Sequence, residues 1–290
     1  MTNQKKKRIK RAGWGVLAFL LAIAVWDHIP FAGQIEQITL DFRYAHFNRN
    51  SKPSDEIILI DIDEQSIKNL SPTYGRWPWP RRVYKELISF LSLGEPAAIL
   101  FDILFSEAQL GTEDDAYLAE ASEGSGVTSH ALQFIPDPAV EGVAHVPLPE
   151  EVGRRFGLNV QVPPSYKLNI EANDFLLPNE VLFAKIPKLH VVNVNKDQDG
   201  ILRRVPTVFQ YDTTFLPSLS LQGILSTVRK PKVEIGERLV KILENGKLKY
   251  TIPLDSSNML PLHFYSDQNR PTSLPFASVI ESATLLQQGK

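Results

Sequence analysis

Three carboxylates close the apolar run that begins at Ile57: Asp61, Asp63 and Glu64 stand at the end of Ile57-Ile58-Leu59-Ile60-Asp61-Ile62-Asp63-Glu64. A fourth, Asp102, sits inside a second apolar run, Ala97–Phe105. If the two runs are neighbouring parallel strands, their ends bring these groups to one rim, where open α/β sheets bind ligands. Carboxylates gathered there suit a hard cation or a cationic ligand. Between the runs, Gly75-Arg76-Trp77-Pro78-Trp79-Pro80-Arg81 offers Trp77 and Trp79 as an aromatic wall and Arg76 or Arg81 as charge. The candidate ligand-binding residues are thus Asp61, Asp63, Glu64, Arg76, Trp77, Trp79, Arg81 and Asp102.

Structural duties compete for the same side chains. Asp61 or Asp63 can cap the helix that follows, and Asp102 can pair with an arginine such as Arg81 or Arg43. The prolines can pin the loop while both indoles bury against the sheet, with Pro80 starting a helix. Asp61-x-Asp63 also resembles the nucleophile motif of haloacid-dehalogenase-like phosphatases, although Glu64 stands where those enzymes favour small or β-branched residues. The alternative function is therefore a membrane-tethered metal-dependent hydrolase using Asp61, Asp63 and Asp102.

Little else carries chemistry. The six histidines lack H-x-H or H-E-x-x-H spacing, and the chain has no cysteine, so no metal ligand set and no cofactor is assigned. Gly124-Ser125-Gly126 lacks the glycines and lysine of a nucleophile elbow or phosphate loop and reads as a turn. Arg203-Arg204 can meet an anionic ligand or lipid, with only one of the pair facing the core side of a strand. No residue is assigned a catalytic role.

The elements that must position these groups belong to a chain of 290 residues, long enough for a real core. With 43% hydrophobic and 22% charged residues, wholesale disorder is excluded. The net charge of −2 hides an asymmetry: Lys5, Lys6, Lys7, Arg8, Lys10 and Arg11 precede the first acidic residue, Asp27. Setting those six aside from the 31 basic residues leaves 25 against 33 acidic ones, a body of charge −8. Such a body does not suit nucleic acid.

The basic tip, residues 1–11, instead precedes an apolar segment. Ala12–Trp26 spans ~22 Å as a helix, and extension to Ile9 and Ile29 approaches the ~30 Å of a bilayer core if Lys10 and Arg11 snorkel. Trp14 and Trp26 sit where interfacial anchors belong. Residues 12–29 are read as an N-terminal transmembrane helix, with the basic tip cytoplasmic and the body, 30–290, extracytoplasmic. A cleaved signal peptide with Ala22-Ile23-Ala24 as its site is the competing assignment.

Within the body, Ile35–Phe47 reads as a helix leaving the membrane and Ile57–Ile62 as a strand covered on both faces. Gln65–Leu70 reads as a helical turn, Arg81–Leu93 as a helix, Ala97–Phe105 as a strand, Asp114–Ala121 as a helix and Val127–Phe134 as a strand. That alternation predicts an α/β fold with a mainly parallel central sheet flanked by helices. The segment of about 134–188 holds eight prolines and reads as an insertion. Leu189–Val194 and Ile201–Phe209 follow as strands around a turn at 196–200, then a helix at Leu216–Val228. A late β-hairpin, Arg238–Leu243 with Lys247–Ile252, turns at Asn245-Gly246. Met259–Tyr265 reads as a strand and Phe276–Gln288 as a closing helix.

These landmarks together resemble the CHASE2 family of extracytoplasmic sensory domains from bacterial transmembrane receptors. The resemblance rests on Asp41-Phe42-Arg43, the Ile57–Glu64 strand, Gly75-Arg76-Trp77-Pro78-Trp79-Pro80-Arg81 and Ala98–Phe105 with Asp114-Asp115 after it. It continues with Asp199-Gly200-Ile201-Leu202-Arg203-Arg204-Val205-Pro206 and Phe264-Tyr265, and covers the chain from about residue 35 onward. In that family the domain runs past a Gly-Lys pair into a further core strand, membrane helices and a cytoplasmic output domain. Gly289-Lys290 resembles the start of that continuation, so the chain is expected to be an amino-terminal piece of a longer receptor. The resemblance implies a sensory input region at the bacterial inner membrane, an unidentified extracytoplasmic ligand, homodimer formation and no enzymatic activity of its own. The output it implies is an adenylate or guanylate cyclase first, otherwise a histidine kinase, diguanylate cyclase or Ser/Thr kinase.

Overall fold

A computed structural model describes residues 14–15, 38–43, 52–136, 145–160, 162–163, 166, 172–197, 199–262, 264–265 and 269–289. Of the expected anchor at 12–29 only 14–15 fall within them, as helix, and the basic tip lies outside the described residues. Among the described residues no helix is long and apolar enough to cross a membrane. The chain divides into two units, 1–58 with 263–272, and 59–262 with 273–290. In the first, residues 38–43 are helical, inside the helix expected at Ile35–Phe47.

The second unit begins in β1 (Ile58–Asp61), followed by α1 (Glu64–Tyr74) and α2 (Arg82–Ser92). The sequence places α2 well, but α1 runs four residues beyond the short turn expected at Gln65–Leu70. β2 (Ile99–Leu100), α3 (Asp114–Ser125) and β3 (Thr128–Pro136) form a parallel β-α-β unit, Ile99 pairing with Thr128. Gly126 ends α3 at φ 67°, a left-handed position where glycine avoids the Cβ clash. The proline-rich segment contributes α4 (Glu150–Phe156), β4 (Ala172–Leu176) and α5 (Glu180–Lys185), so the expected insertion is built into the fold. β5 (Lys188–Val191) then lies parallel to β3, Ser129 opposite Lys188.

The expectation of a mainly parallel sheet holds for β2-β3-β5. It fails for β1, which pairs with β13 (Thr272–Pro275). Nor is β1 covered on both faces, since Ile58 and Leu59 are 56% and 42% exposed. The strand expected over Ala97–Phe105 shrinks to two residues, and its far end is barred by a neighbour. On β3, the Ser129 carbonyl accepts from Phe101, while Leu132 and Phe134 bond to Val192 and Asn193 on the other side. Odd residues of β3 therefore face the β2 edge, and from Gln133 onward that edge is occupied by antiparallel β4. β2 therefore cannot run on to Phe105, although the Phe101 N–H still bonds to the Ser129 carbonyl of β3.

The pairs that follow are antiparallel, beside a single parallel bridge between Val191 and Ser218. β6 (Arg204–Val205) pairs with β12 (Leu260–Pro261), and β7 (Val208–Tyr211) with β8 (Thr214–Pro217). The strands expected at Ile201–Phe209 and Met259–Tyr265 are thus cut to short pairs. The helix expected from Leu216 starts later, as α6 (Leu219–Ser226), because Leu216 sits in β8. β9 (Pro231–Ile235), β10 (Leu239–Glu244) and β11 (Lys247–Pro253) form a meander, its hairpin turned by Asn245 at φ 51° and Gly246 at φ 80°. α7 (Phe276–Gln287) closes the unit as expected.

Among the described residues two apolar cores result. One gathers Trp79, Tyr84, Phe101, Phe105, Phe134 and Phe276 around the parallel strands. The other joins Val208 and Leu221 to Val233, Val240, Ile242 and Ile252 of the meander.

Candidate functional site

Gly75 ends α1 at φ 82°, a positive value that glycine takes without a Cβ clash, its N–H donating to the Ser71 carbonyl at 3.0 Å, and it opens the Trp-Pro loop. The Trp77–Pro78 peptide is cis. The loop gives its two indoles opposite fates. Trp79 is fully buried and stacks on Phe276 with ring centroids 5.0 Å apart, whereas Trp77 is 42% exposed.

Arg81 follows and turns inward. Its guanidinium lies 4.6 Å above the Phe105 ring, Nε sits 3.5 Å from Asp115 Oδ1, and an Nη donates to the Glu107 carbonyl at 3.3 Å. Gln109 closes the arrangement, its Oε1 accepting from the Arg81 N–H at 2.8 Å while its own N–H donates to Asp115 Oδ2 at 2.7 Å. Arg82 reaches Asp114 at 3.9 Å. Asp114 and Asp115 occupy the first turn of α3, where the helix dipole favours negative charge. The acidic pair thus clasps α2 to α3.

A cleft of about 560 Å³ opens beside this clasp. Trp77 and Pro78 form one wall, with Arg81 and Tyr84 behind them; the chain leaving β2 supplies Asp102 and Ser106–Glu107 opposite. Gln133 of β3 and Val192 just past β5 complete it, so the cleft lies at the carboxyl ends of the three parallel strands. Burial pushes the Tyr84 phenol up, against opposing pulls from the Arg81 charge and the Trp77 indole.

Of the eight residues proposed from sequence, Trp77, Arg81 and Asp102 meet in this cleft. The others do not. Asp63 is the N-cap of α1, Oδ1 accepting from Ser66 N–H at 2.7 Å, which holds its carboxyl below the usual value. Asp61 accepts from the Ser273 hydroxyl across the β1–β13 pair. Glu64 is exposed in the first turn of α1, Arg76 is exposed outside the lining, and Trp79 belongs to the core. The expected convergence of four carboxylates therefore does not occur, because β1 pairs with β13 and not with β2. Among the described residues, no three His, Cys, Asp or Glu side chains are grouped to hold a metal ion.

Asp102 does not pair with Arg81, whose partner is Asp115. Tyr84, Ser106, Glu107, Gln133 and Val192 escaped the sequence reading. A polar Gln133 within an otherwise apolar stretch of β3 was the one usable signal.

Beneath Asp102, Phe101 stacks on His130 at 5.0 Å. His130 Nε2 meets Ser122 Oγ at 2.9 Å and His190 Nδ1 meets Ser129 Oγ at 2.8 Å. Burial lowers His130 to about 3, with His190 adding to the effect, and lowers His190 to about 4, partly opposed by the Phe101 backbone.

The family profile of the CHASE2 domain matches residues 16–290. The chain belongs to the CHASE2 family. This is a family of extracytoplasmic sensory domains, which agrees with the resemblance carried by the Trp-Pro loop. No curated protein and no solved structure shows a significant match to the chain. In this CHASE2 domain the Asp199–Pro206 motif is internally neutralised. Arg203, 3% exposed, binds Asp197 at 3.1 Å and Asp199 at 2.7 Å, while Arg204 reaches Asp255 at 2.9 Å. The Arg203-Arg204 pair, read from sequence as able to meet an anion or lipid, thus binds carboxylates of its own chain.

Proposed function

We propose that this CHASE2 domain is the extracytoplasmic input region of a bacterial membrane receptor, and that its signal is a small molecule held in the Trp77–Asp102 cleft. One observation carries the reading: the cleft stands at the carboxyl ends of the parallel strands and joins a half-exposed indole to a carboxylate that has no partner among the described residues. Its walls come from the Trp-Pro loop, α2 and the β2 exit, and α2 packs against α7 through Tyr84 and Phe276, 5.8 Å apart. A ligand bridging these walls biases the placement of α2 and α7 by its differential affinity for two arrangements. Homodimer pairing and a single N-terminal anchor would carry that bias to a cytoplasmic output, with a nucleotide cyclase first among the family's outputs.

A thermal-shift screen of small organic molecules of every charge tests the cleft. At least one compound is expected to stabilise the wild-type chain and to lose its effect in Ser106→Trp, which fills the cavity, and in Trp77→Ala. If no compound distinguishes the variants from wild type, the cleft is not the sensory site.

A further inference from the structure

We infer that the cleft selects a small organic cation, an ammonium or guanidinium compound, with Asp102 as counter-charge and Trp77 as the aromatic face. This rests on the cleft being the ligand site proposed above. The charge balance around the cavity decides the sign. Among the described residues Arg81 is the cation in the lining, and it is spent: buried to 8% exposure, paired with Asp115, stacked on Phe105 and bonded to the Glu107 carbonyl. Asp102 and Glu107 are exposed, and neither side chain has a hydrogen bond or ion pair among the described residues. A ligand carboxylate or phosphate would face two free carboxylates and a guanidinium already neutralised. A cation would gain what the protein leaves unsatisfied.

Two further features separate an organic cation from a metal ion. The cavity of about 560 Å³ falls within the range of small-molecule sites, and no three metal-ligating side chains gather among the described residues. Trp is the best aromatic partner for a cation, and Trp77, 42% exposed, lines the same cleft as Asp102. Gln133 and Ser106 add hydrogen-bonding groups that can accept from an ammonium or hydroxyl of the ligand.

Isothermal calorimetry and indole fluorescence on the whole chain test the assignment with choline, agmatine, succinate, Mg²⁺ and 3,3-dimethylbutan-1-ol, the neutral carbon isostere of choline. Choline or agmatine is expected to bind at least about tenfold more tightly than the neutral isostere or succinate. Asp102→Asn should weaken that binding by about tenfold, Trp77→Leu should weaken it comparably, and Trp77→Phe should restore part of it. Raised salt should weaken the cation and leave the isostere unchanged. Binding of succinate or the neutral alcohol equal to the cations, and lost in Ser106→Trp, would overturn the charge assignment and leave the cleft as the sensory site. Mg²⁺ binding that depends on Asp102 overturns it in favour of a metal. If neither organic cation binds, the inference falls, and the all-charge screen decides separately whether the cleft senses anything.

Discussion

His130 and His190 are enclosed in the first core and held neutral by burial, at about 3 and about 4, while an unfolded histidine titrates near 6.5. Below that value the unfolded chain takes up two protons that the folded chain refuses. Stability is therefore fully present above about pH 6.5 and falls as pH drops toward the folded values, by about 1.4 kcal/mol per pH unit for each histidine. Urea unfolding at several pH values should show this slope, and His190→Leu should remove about half of it. A flat profile between pH 6.5 and 5 would exclude neutral buried rings. Asp63 acts later, because its depressed carboxyl stabilises the fold above its ordinary value of 3.8 and stops doing so as pH falls through the folded value. Asp63→Ala is expected to lower the melting temperature at neutral pH, while Asp63→Asn, still a good cap, should lower it far less. At this scale the sequence was legible where chemistry is local. A carboxylate three residues before a helical N–H is a cap in almost any fold, so the capping alternative at Asp61 or Asp63 was available beforehand. The split between Trp77 and Trp79 was not, since it depends on Phe276, almost two hundred residues away in the chain.

Ser66 shows how elements depend on one another. Pro275 precedes α7 and offers no side-chain cap; the Ala277 N–H is satisfied instead by Ser66 Oγ of α1 at 3.0 Å. Ser66 is fully buried, so Ser66→Ala leaves a helix donor without water or partner. The expected cost is about 1–3 kcal/mol, with faster hydrogen exchange concentrated in the first turn of α7. An unchanged exchange pattern there would show that the cap contributes nothing. Trp79→Ala should cost more, about 3–5 kcal/mol, because it removes the indole stacked on Phe276 from the centre of the core. Elements defined by local signals were read well: α2 and α7 from their apolar spacing, and the β10–β11 hairpin from Asn245-Gly246. Those defined by distant pairing were not. An apolar run such as Ile57–Ile62 says that the residues are extended, not which strand lies beside them. The same limit hid the pairing of β4, from within the proline-rich segment, with the end of β3. It also misplaced the carboxylates of β1 at the rim of a sheet that β1 does not join.

For the molecule as a whole, the proposed anchor at 12–29 would take its orientation from the basic residues that precede it. Six basic residues precede the apolar segment at 12–29, and the remainder of the chain carries −8. Lys and Arg beside an apolar span are retained on the cytoplasmic side, whereas a long domain is translocated largely regardless of its charge. A sensor with its cleft outside and its output inside needs that arrangement. Alkaline phosphatase fused after Lys290 should accordingly be active in cells, and β-galactosidase at the same point inactive. Replacing Lys5, Lys6, Lys7, Arg8, Lys10 and Arg11 by Gln should reduce phosphatase activity by loosening the orientation, without altering the far-ultraviolet circular dichroism of the body. Active β-galactosidase in the wild-type fusion would place the cleft in the cytoplasm. The Trp77–Asp102 site would then have to be read against cytoplasmic molecules, because a cleft can report only on the compartment it faces.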